Sequence, residues 1–157
     1  MAAVVIAPGE DAAARVAAAQ EAGAAALIAG GGWPVPFGAD GLHLPADALS
    51  PIKAKPEGAM CGAAAGDRHG AMMAGEAGAD YLWFDGAGDV AAACALGAWW
   101  QTVFEVPAVV AGGRADLKVL VESRAEFVAM VDAFDDHDEA ALVAAANTAL
   151  DAAQEAA

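Results

Sequence analysis

The chain has 157 residues, of which 59% are apolar. That is enough to bury a domain core and too much for a disordered chain. Its net charge of −15, from 22 acidic residues against 7 Lys and Arg, disfavours binding to nucleic acid or to anionic membrane surfaces. No apolar run approaches the roughly 20 residues of a transmembrane helix, so no membrane role is expected.

Seven short apolar segments, most of them bounded by Gly, Pro or an acidic residue, predict β-strands. In chain order these segments are residues 4–7, 25–29, 41–44, 59–65, 81–84, 108–111 and 127–131. Because they are apolar throughout rather than alternating, both faces of each strand are expected to be covered.

The segments between the strands predict helices or loops. Helices are predicted at residues 10–22, 67–78, 89–106 and 116–125, and from 138 towards the C-terminus. Asp67 and Asp89 have the residue type and position of N-caps, and Gly78 that of a residue just beyond a helix C-terminus. Residues 30–36 and 45–57 are rich in Gly and Pro, so these two connections are predicted as loops with at most a short helix.

This regular alternation predicts an α/β protein with a TIM-type (β/α) barrel of about seven parallel strands, in one domain spanning residues 1–157. Cys61 and Cys94 both lie in apolar segments, which favours reduced, buried thiols over a disulfide. The N-terminus has no basic stretch of the kind that opens a secretory signal. A cytoplasmic location is therefore expected.

Four segments carry motifs that are specific in combination. They are Gly-Ala-Asp-Gly-Leu-His-Leu at 38–44, the stretch 62–84 with Gly-Ala-Asp-Tyr near its end, the Pro to Gly-Gly stretch 107–113, and the apolar strand 127–131. Together they resemble the thiamine phosphate synthase and thiazole tautomerase family. The resemblance extends over nearly the whole chain from Ala25 onward, and it implies a (β/α) barrel and a connection to thiamine biosynthesis.

On this alignment the first strand here matches the second strand of the family, so the resemblance implies a barrel without the family's first βα unit. A shortened barrel has one of two predicted forms. Either the barrel is open at seven strands and loops or side chains cover the gap, or the uncovered edge pairs with another copy of the chain.

The resemblance implies a reaction in which a pyrimidine diphosphate joins a thiazole phosphate to give thiamine phosphate and pyrophosphate. Such chemistry needs Mg²⁺ and basic side chains to stabilise the departing diphosphate. At the matching positions this chain has other residues. The basic pair falls on Ala7 and Gly9, and the Asn-Asp pair on Ala29 and Gly30. The second magnesium acid falls on Ala48, one place after Asp47.

We therefore predict a divergent, acidic pseudoenzyme that binds a small ligand or a partner without synthase catalysis and without a cofactor. The enzyme alternative is an active synthase or tautomerase with a relocated site, using His43, Asp47, Asp132 and Mg²⁺. A third alternative is an interaction protein that associates through the open barrel edge.

Several candidate site residues follow strands, where barrel active sites lie. His43 is either a base or ligand or a packed, hydrogen-bonded histidine, and we favour the second interpretation. Asp47, Asp85 and Asp132 either bind a divalent metal or cationic ligand or act as separate helix caps on a solvated acidic rim, and again we favour the second. The acidic run 135–139 is interpreted as a helix cap.

Glycines and tryptophans give the remaining candidates. The resemblance implies that Gly112 and Gly113 present backbone amides to a phosphate. Trp83 replaces a small residue of the family pattern, which suggests that it fills the former substrate pocket. Trp99 and Trp100 are adjacent on one helix, so they point about 100° apart and at most one faces the barrel. Their helix is a candidate surface for homo-oligomers.

Overall fold

The computed structural model describes residues 1–30, 32–130 and 139–156. The strands are β1 (Ala2–Ile6), β2 (Ala25–Ala29), β3 (Gly41–Leu44), β4 (Met60–Ala64), β5 (Leu82–Phe84), β6 (Ala108–Gly112) and β7 (Phe127–Met130). The helices are α1 (Ala12–Glu21), α2 (Arg68–Ala77), α3 (Val90–Val103), α4 (Leu117–Glu122) and α5 (Glu139–Glu155). Each predicted strand is present. The predicted loop 45–57 contains a 3-10 helix at Ser50–Ala54.

The seven strands are all parallel and form a closed barrel in sequence order. Closure is made by β1 and β7, with Ala2 opposite Val128 and Ala3 opposite Ala129. This confirms the seven-stranded (β/α) barrel. The prediction of an open barrel edge was wrong, because β7 provides the hydrogen-bonding partner that β1 was expected to lack.

The last helix stabilises this closure. Asn147 on α5 accepts a hydrogen bond from the backbone N–H of Ala2 at 2.9 Å. Its side-chain amide donates to the carbonyl oxygens of Ala22 and Gly23, just beyond the end of α1. One side chain therefore links the start of β1 to the α1–β2 connection.

Helix ends follow the predicted chemistry. The Asp67 carboxylate accepts from the N–H of Gly70 at 2.7 Å, and the Asp89 carboxylate accepts from the N–H groups of Ala91 and Ala92. Gly78 ends α2 with a φ of +101°, a conformation that costs a side-chain-bearing residue more than it costs glycine. The two predicted N-caps are confirmed.

Two core layers result from the alternation of side chains along the strands. The outer layer lies between the strands and the helices and contains the larger aliphatic residues, such as Ile6, Ile28 and Leu42. The inner layer lies inside the barrel and contains three alanines, two larger aliphatic residues and two aromatic ones: Ala3, Leu27, Tyr81, Trp83, Val109, Ala111 and Ala129. A narrow barrel leaves little room inside, so alanine and glycine are favoured around a few large rings.

The two Gly-Ala-Asp motifs make the same structure twice, at the end of the barrel where strands begin. Asp40 donates its backbone N–H to the carbonyl of Ala26 and accepts the N–H of Ala26 on its carboxylate, both at 2.8 Å. Asp80 does the same with Cys61, at 2.7 and 2.8 Å. The Asp80 carboxylate also binds Lys55 Nζ at 2.7 and 2.8 Å. We call these two arrangements the aspartate clasps.

No helix among the described residues is long and apolar enough to span a bilayer. Both cysteines are free, Cys61 buried and Cys94 partly buried. Burial and the Asp80 carboxylate raise the pKa of the Cys61 thiol to about 11. The prediction of unpaired thiols is confirmed, and Cys61 stays protonated at neutral pH.

Candidate functional site

The candidate site is the mouth of the barrel, where the strands end. His43, one residue before the end of β3, points into the barrel from this end. Its Nδ1 lies 2.9 Å from the hydroxyl of Tyr81, which also donates to the carbonyl of Leu42 at 3.3 Å. The edge of its ring meets the Trp83 indole, with centroids 4.9 Å apart. His43 is thus a packed and hydrogen-bonded residue.

The environment of His43 keeps the imidazole neutral. Burial among aromatic rings lowers its pKa to about 4, and the nearby Asp85 carboxylate opposes this only in part. With so low a pKa the imidazole is a weak base, and at neutral pH it carries no extra proton to donate as a general acid. Its buried partner Tyr81 cannot supply a phenolate, because burial raises the pKa of that hydroxyl well above its usual value.

This lowered pKa predicts a loss of stability in mild acid. The unfolded chain takes up a proton on His43 near pH 6.5, whereas the folded chain does so only near pH 4. The neutral His43 side chain therefore contributes to the free energy of unfolding above pH 6.5, and this contribution is lost as the pH falls towards 4. Between pH 7.5 and 5.0 the free energy of unfolding should fall by about 2 kcal/mol from this group alone, measured by urea titration.

The matched control is His43→Asn, because an asparagine amide can still meet the Tyr81 hydroxyl but does not titrate. The difference between the two proteins isolates the histidine from the carboxylates that titrate in the same range. Identical pH dependence in both proteins would contradict the neutral, buried imidazole.

Trp83 occupies the barrel interior just below the mouth and is only 4% exposed. Tyr81, two residues earlier on the same side of the chain, lies flat against Gly62. Nearer the strand N-termini the interior retains a cavity of about 80 Å³, bordered by Met60, Asp80 and Phe127. Large rings therefore take up the upper part of the interior, and the remaining space lies at the opposite end from the mouth.

The predicted phosphate-binding glycines are at the end of β6. Gly113 donates its N–H to the carboxylate of Asp116 at 2.9 Å, and the Asp116 N–H donates back to the Gly113 carbonyl at 2.9 Å. Gly112 is also covered, since a Cβ there would lie 3.2 Å from the same carboxylate. A phosphate at this turn would have to displace an anion that belongs to the chain.

The acidic candidates are dispersed in the part of the chain that can be described. Asp47 is exposed in the turn after β3, and Asp85 is exposed after β5. Asp132 and residues 135–138 of the acidic run lie outside the described residues. Within residues 1–30, 32–130 and 139–156, no three His, Cys, Asp or Glu side chains converge as a metal site would require.

Few Lys or Arg residues occur in the segments that directly follow the strands. The segments that follow the strand C-termini are residues 7–11, 30–40, 45–49, 65–67, 85–89, 113–116 and 131–138. In sequence they contain a single Lys or Arg, Arg114. Lys55 is bound to Asp80 at the other end of the barrel, and the Arg68 guanidinium lies 4.9 Å from the centre of the Trp99 ring. The other basic residues lie on α1, on the 3-10 helix, on α4 and in the turn before β7: Arg15, Lys53, Lys118 and Arg124.

The sequence analysis did not identify the contacts of three residues. Tyr81 binds His43, Asp116 binds the Gly113 amide, and Asp80 binds Cys61 and Lys55. Asp116 follows Gly113 by three residues, which is the spacing of a side chain that folds back onto a helix start, so that signal was present. The Gly-Ala-Asp repeat likewise contained the signal for the clasps. The contact between Tyr81 and His43 joins residues 38 apart in sequence and has no local signal.

A curated protein shares much of this sequence. Thiamine-phosphate synthase from Erythrobacter litoralis (strain HTCC2594) is 40% identical over an alignment of 125 residues, and the match covers 68% of this chain. The chain is related to the thiamine-phosphate synthases. The match spans only 57% of the length of that relative. The similarity therefore does not by itself assign the activity of the relative to this chain. No protein-family model matches the chain.

Solved structures share the fold at low identity. Thiamine phosphate pyrophosphorylase from Pyrococcus furiosus superposes with a TM-score of 0.68 at 14% identity, over 97% of this chain and 96% of its own. A native KDPGal structure superposes with a TM-score of 0.65 at 15% identity, over 98% and 94%. These likenesses support the barrel architecture alone.

The magnesium that the synthase reaction requires does not fit the residues present here. Ala29, Gly30 and Ala48 stand at the matching positions, and none offers a carboxylate oxygen. Asp47 is near in sequence but exposed in a turn. Among the residues that the structure describes, the carboxylates near the mouth, such as Asp47 and Asp85, do not gather into a set of oxygen ligands of the kind that Mg²⁺ prefers.

Proposed function

We propose that this thiamine-phosphate synthase relative acts by binding, to a small ligand or a partner, and does not carry out the synthase reaction. The observation that carries the proposal is the charge of the mouth. A diphosphate leaving group concentrates negative charge that only cations or strong hydrogen-bond donors can stabilise. The strand-end segments offer Arg114 and many carboxylates, Asp47, Asp85 and Asp89 among them.

Two further features support the same conclusion. The Asp116 carboxylate already accepts from the Gly113 amide, which would otherwise be free for a phosphate. The Trp83 indole fills the interior beneath the mouth, where a flat pyrimidine ring would need room. Like charges about 4 Å apart repel by roughly 1 kcal/mol in water and by several times more near a protein surface.

One experiment tests the proposal directly. Purified protein is incubated with the pyrimidine diphosphate, the thiazole phosphate and Mg²⁺, and thiamine phosphate is quantified against an active synthase. We expect no product above the uncatalysed background. Product that depends on the protein, and that is lost in His43→Asn, would overturn the proposal and favour the enzyme alternative with a relocated site.

The enzyme alternative is kept because of one specific observation, the 40% identity to a curated synthase. In that alternative His43, Asp47 and Asp132 would carry the chemistry with Mg²⁺. Thermal-shift measurements with thiamine precursors separate the remaining possibilities. Stabilisation without turnover supports ligand binding, because a ligand that binds only the folded form raises its stability.

A further inference from the structure

A second surface of the molecule has features of a binding site. A groove of about 230 Å³ lies on the outside of the barrel between α2 and α3. It is lined by side chains and backbone from both helices and the segment that follows α3: Met72, Gly75, Glu76, Trp100, Phe104 and Val106. We call it the α2–α3 groove.

The floor of the α2–α3 groove is aromatic and fixed in place. The Trp100 indole stacks on the Phe104 ring with centroids 4.0 Å apart, and its Nε1 donates to the Val106 carbonyl at 2.7 Å. Gly75 allows the indole to approach α2, because a Cβ there would lie 2.9 Å from Trp100 Cη2. The floor therefore cannot be closed by a simple movement of Trp100.

Large apolar side chains remain exposed on the same two helices. Met72 is 44% exposed, Met73 is 51% exposed and Val103 is 58% exposed. Helix α3 has no charged residue along its whole length. Exposed apolar side chains beside an apolar groove are typical of interaction sites, and methionine adapts its shape to different partners.

The charges around the groove select the kind of partner. Glu76 lines one wall. Glu105 is exposed and lies in sequence between Phe104 and Val106, which line the other wall, although Glu105 itself is not a lining residue. Among the described residues no Lys or Arg lines the groove, and the nearest basic residue along α2, Arg68, is stacked on Trp99. The chain as a whole carries −15, so a second copy would be repelled and a cationic partner attracted.

We propose that the α2–α3 groove binds an amphipathic helix of another protein, with apolar residues on one face and Lys or Arg flanking them. A groove between two helices accepts side chains spaced at i, i+3 or i+4, and i+7 on such a helix. Its basic flanks would lie against Glu76 and beside the exposed segment that contains Glu105. This site is on the barrel exterior and does not depend on the function proposed for the mouth.

The test uses a synthetic helical peptide of about five turns with Leu and Phe at the apolar positions and Lys elsewhere. Binding to the full chain is measured by fluorescence anisotropy at low and physiological ionic strength. We expect a Kd on the order of 10 μM at low salt, weakening as salt is raised. A peptide with the same apolar positions and Glu in place of Lys should bind at least about tenfold more weakly.

Variants locate the site. Met72→Ser should weaken binding about tenfold by removing apolar contact, and the double change Glu76→Gln with Glu105→Gln should weaken it about fivefold and flatten its salt dependence. Val119→Ser on α4 and Glu10→Gln before α1 are matched exposed changes elsewhere and should have no effect.

Four results would overturn the proposal. The first is equal binding of the acidic and basic peptides. The second is binding that is insensitive to Met72→Ser, and the third is no binding of the basic peptide at all. Dimerisation of the chain that Met72→Ser abolishes would identify the groove as a contact between copies, which would also overturn it.

Discussion

Gly62→Ala is expected to destabilise the protein by at least about 3 kcal/mol, which is the upper range for overpacking a core. A Cβ at this position would lie 2.1 Å from two carbon atoms of the Tyr81 ring. The ring cannot simply turn away, because its hydroxyl is fixed by His43 and by the Leu42 carbonyl. The change therefore forces either a shift of β4 or the loss of both hydrogen bonds.

The measurement is urea unfolding followed by far-ultraviolet circular dichroism. Gly66→Ala is the matched control from the same segment, because a Cβ added at Gly66 would have no heavy atom within 4 Å and the φ of this residue is not positive. It should be neutral or slightly stabilising. In a Tyr81→Ala background the cost of Gly62→Ala should nearly vanish, since the clashing ring is gone. An unchanged unfolding midpoint for Gly62→Ala would contradict the position of Tyr81.

The backbone plan could be predicted because its signals are local. Most strands are short apolar runs bounded by glycine, proline or an acidic residue. Asp67 and Asp89 indicate where helices begin, because their side chains can accept hydrogen bonds from the first backbone N–H groups. Parallel strands joined by helices leave few arrangements, so the barrel follows from the alternation. Strand 25–29 and strand 41–44 have the predicted bounds.

The barrel was predicted, but the direct pairing of β1 with β7 was not, because the contact of Ala2 with Val128 joins opposite ends of the chain and has no local signal. The same holds for the candidate site. Trp83 was expected to fill the pocket because it replaces a small residue of the family pattern. The contacts of His43 with Tyr81 and Trp83, in contrast, depend on the register of neighbouring strands. The phosphate-binding role implied for Gly112 and Gly113 could not be judged from the sequence for a different reason. The family motif implied free amides, whereas a residue outside that motif, Asp116, binds the amide of Gly113.

The Gly-Ala-Asp repeat also shows how a family motif can be structural rather than catalytic. Both aspartates lie at the end of the barrel where strands begin, which in barrel enzymes serves stability, while catalysis occurs at the opposite end. Motifs at that end can be kept when the residues at the opposite end differ. The similarity to the synthases and the proposed loss of their chemistry are therefore compatible.

Asp80→Ala is the second change with a large expected effect, about 3 kcal/mol. It leaves the N–H of the fully buried Cys61 without its acceptor and Lys55 without its carboxylate. Asp40→Ala removes the same kind of backbone hydrogen bond, from Ala26, but no lysine contact like that of Asp80 within the described part of the chain, so it should cost about half as much. The comparison of the two aspartate clasps within one protein separates the backbone bond from the contribution of Lys55.

Asp80→Asn refines the comparison, because its amide oxygen can still accept from Cys61 while the attraction to Lys55 is lost. Its cost should fall between zero and that of Asp80→Ala, and Lys55→Met should cost about 1 kcal/mol, as expected for a partly exposed pair. All four free energies come from the same urea titrations. If Asp80→Ala costs no more than Asp40→Ala, the Lys55 pair contributes nothing to stability, and the clasps act through the backbone alone.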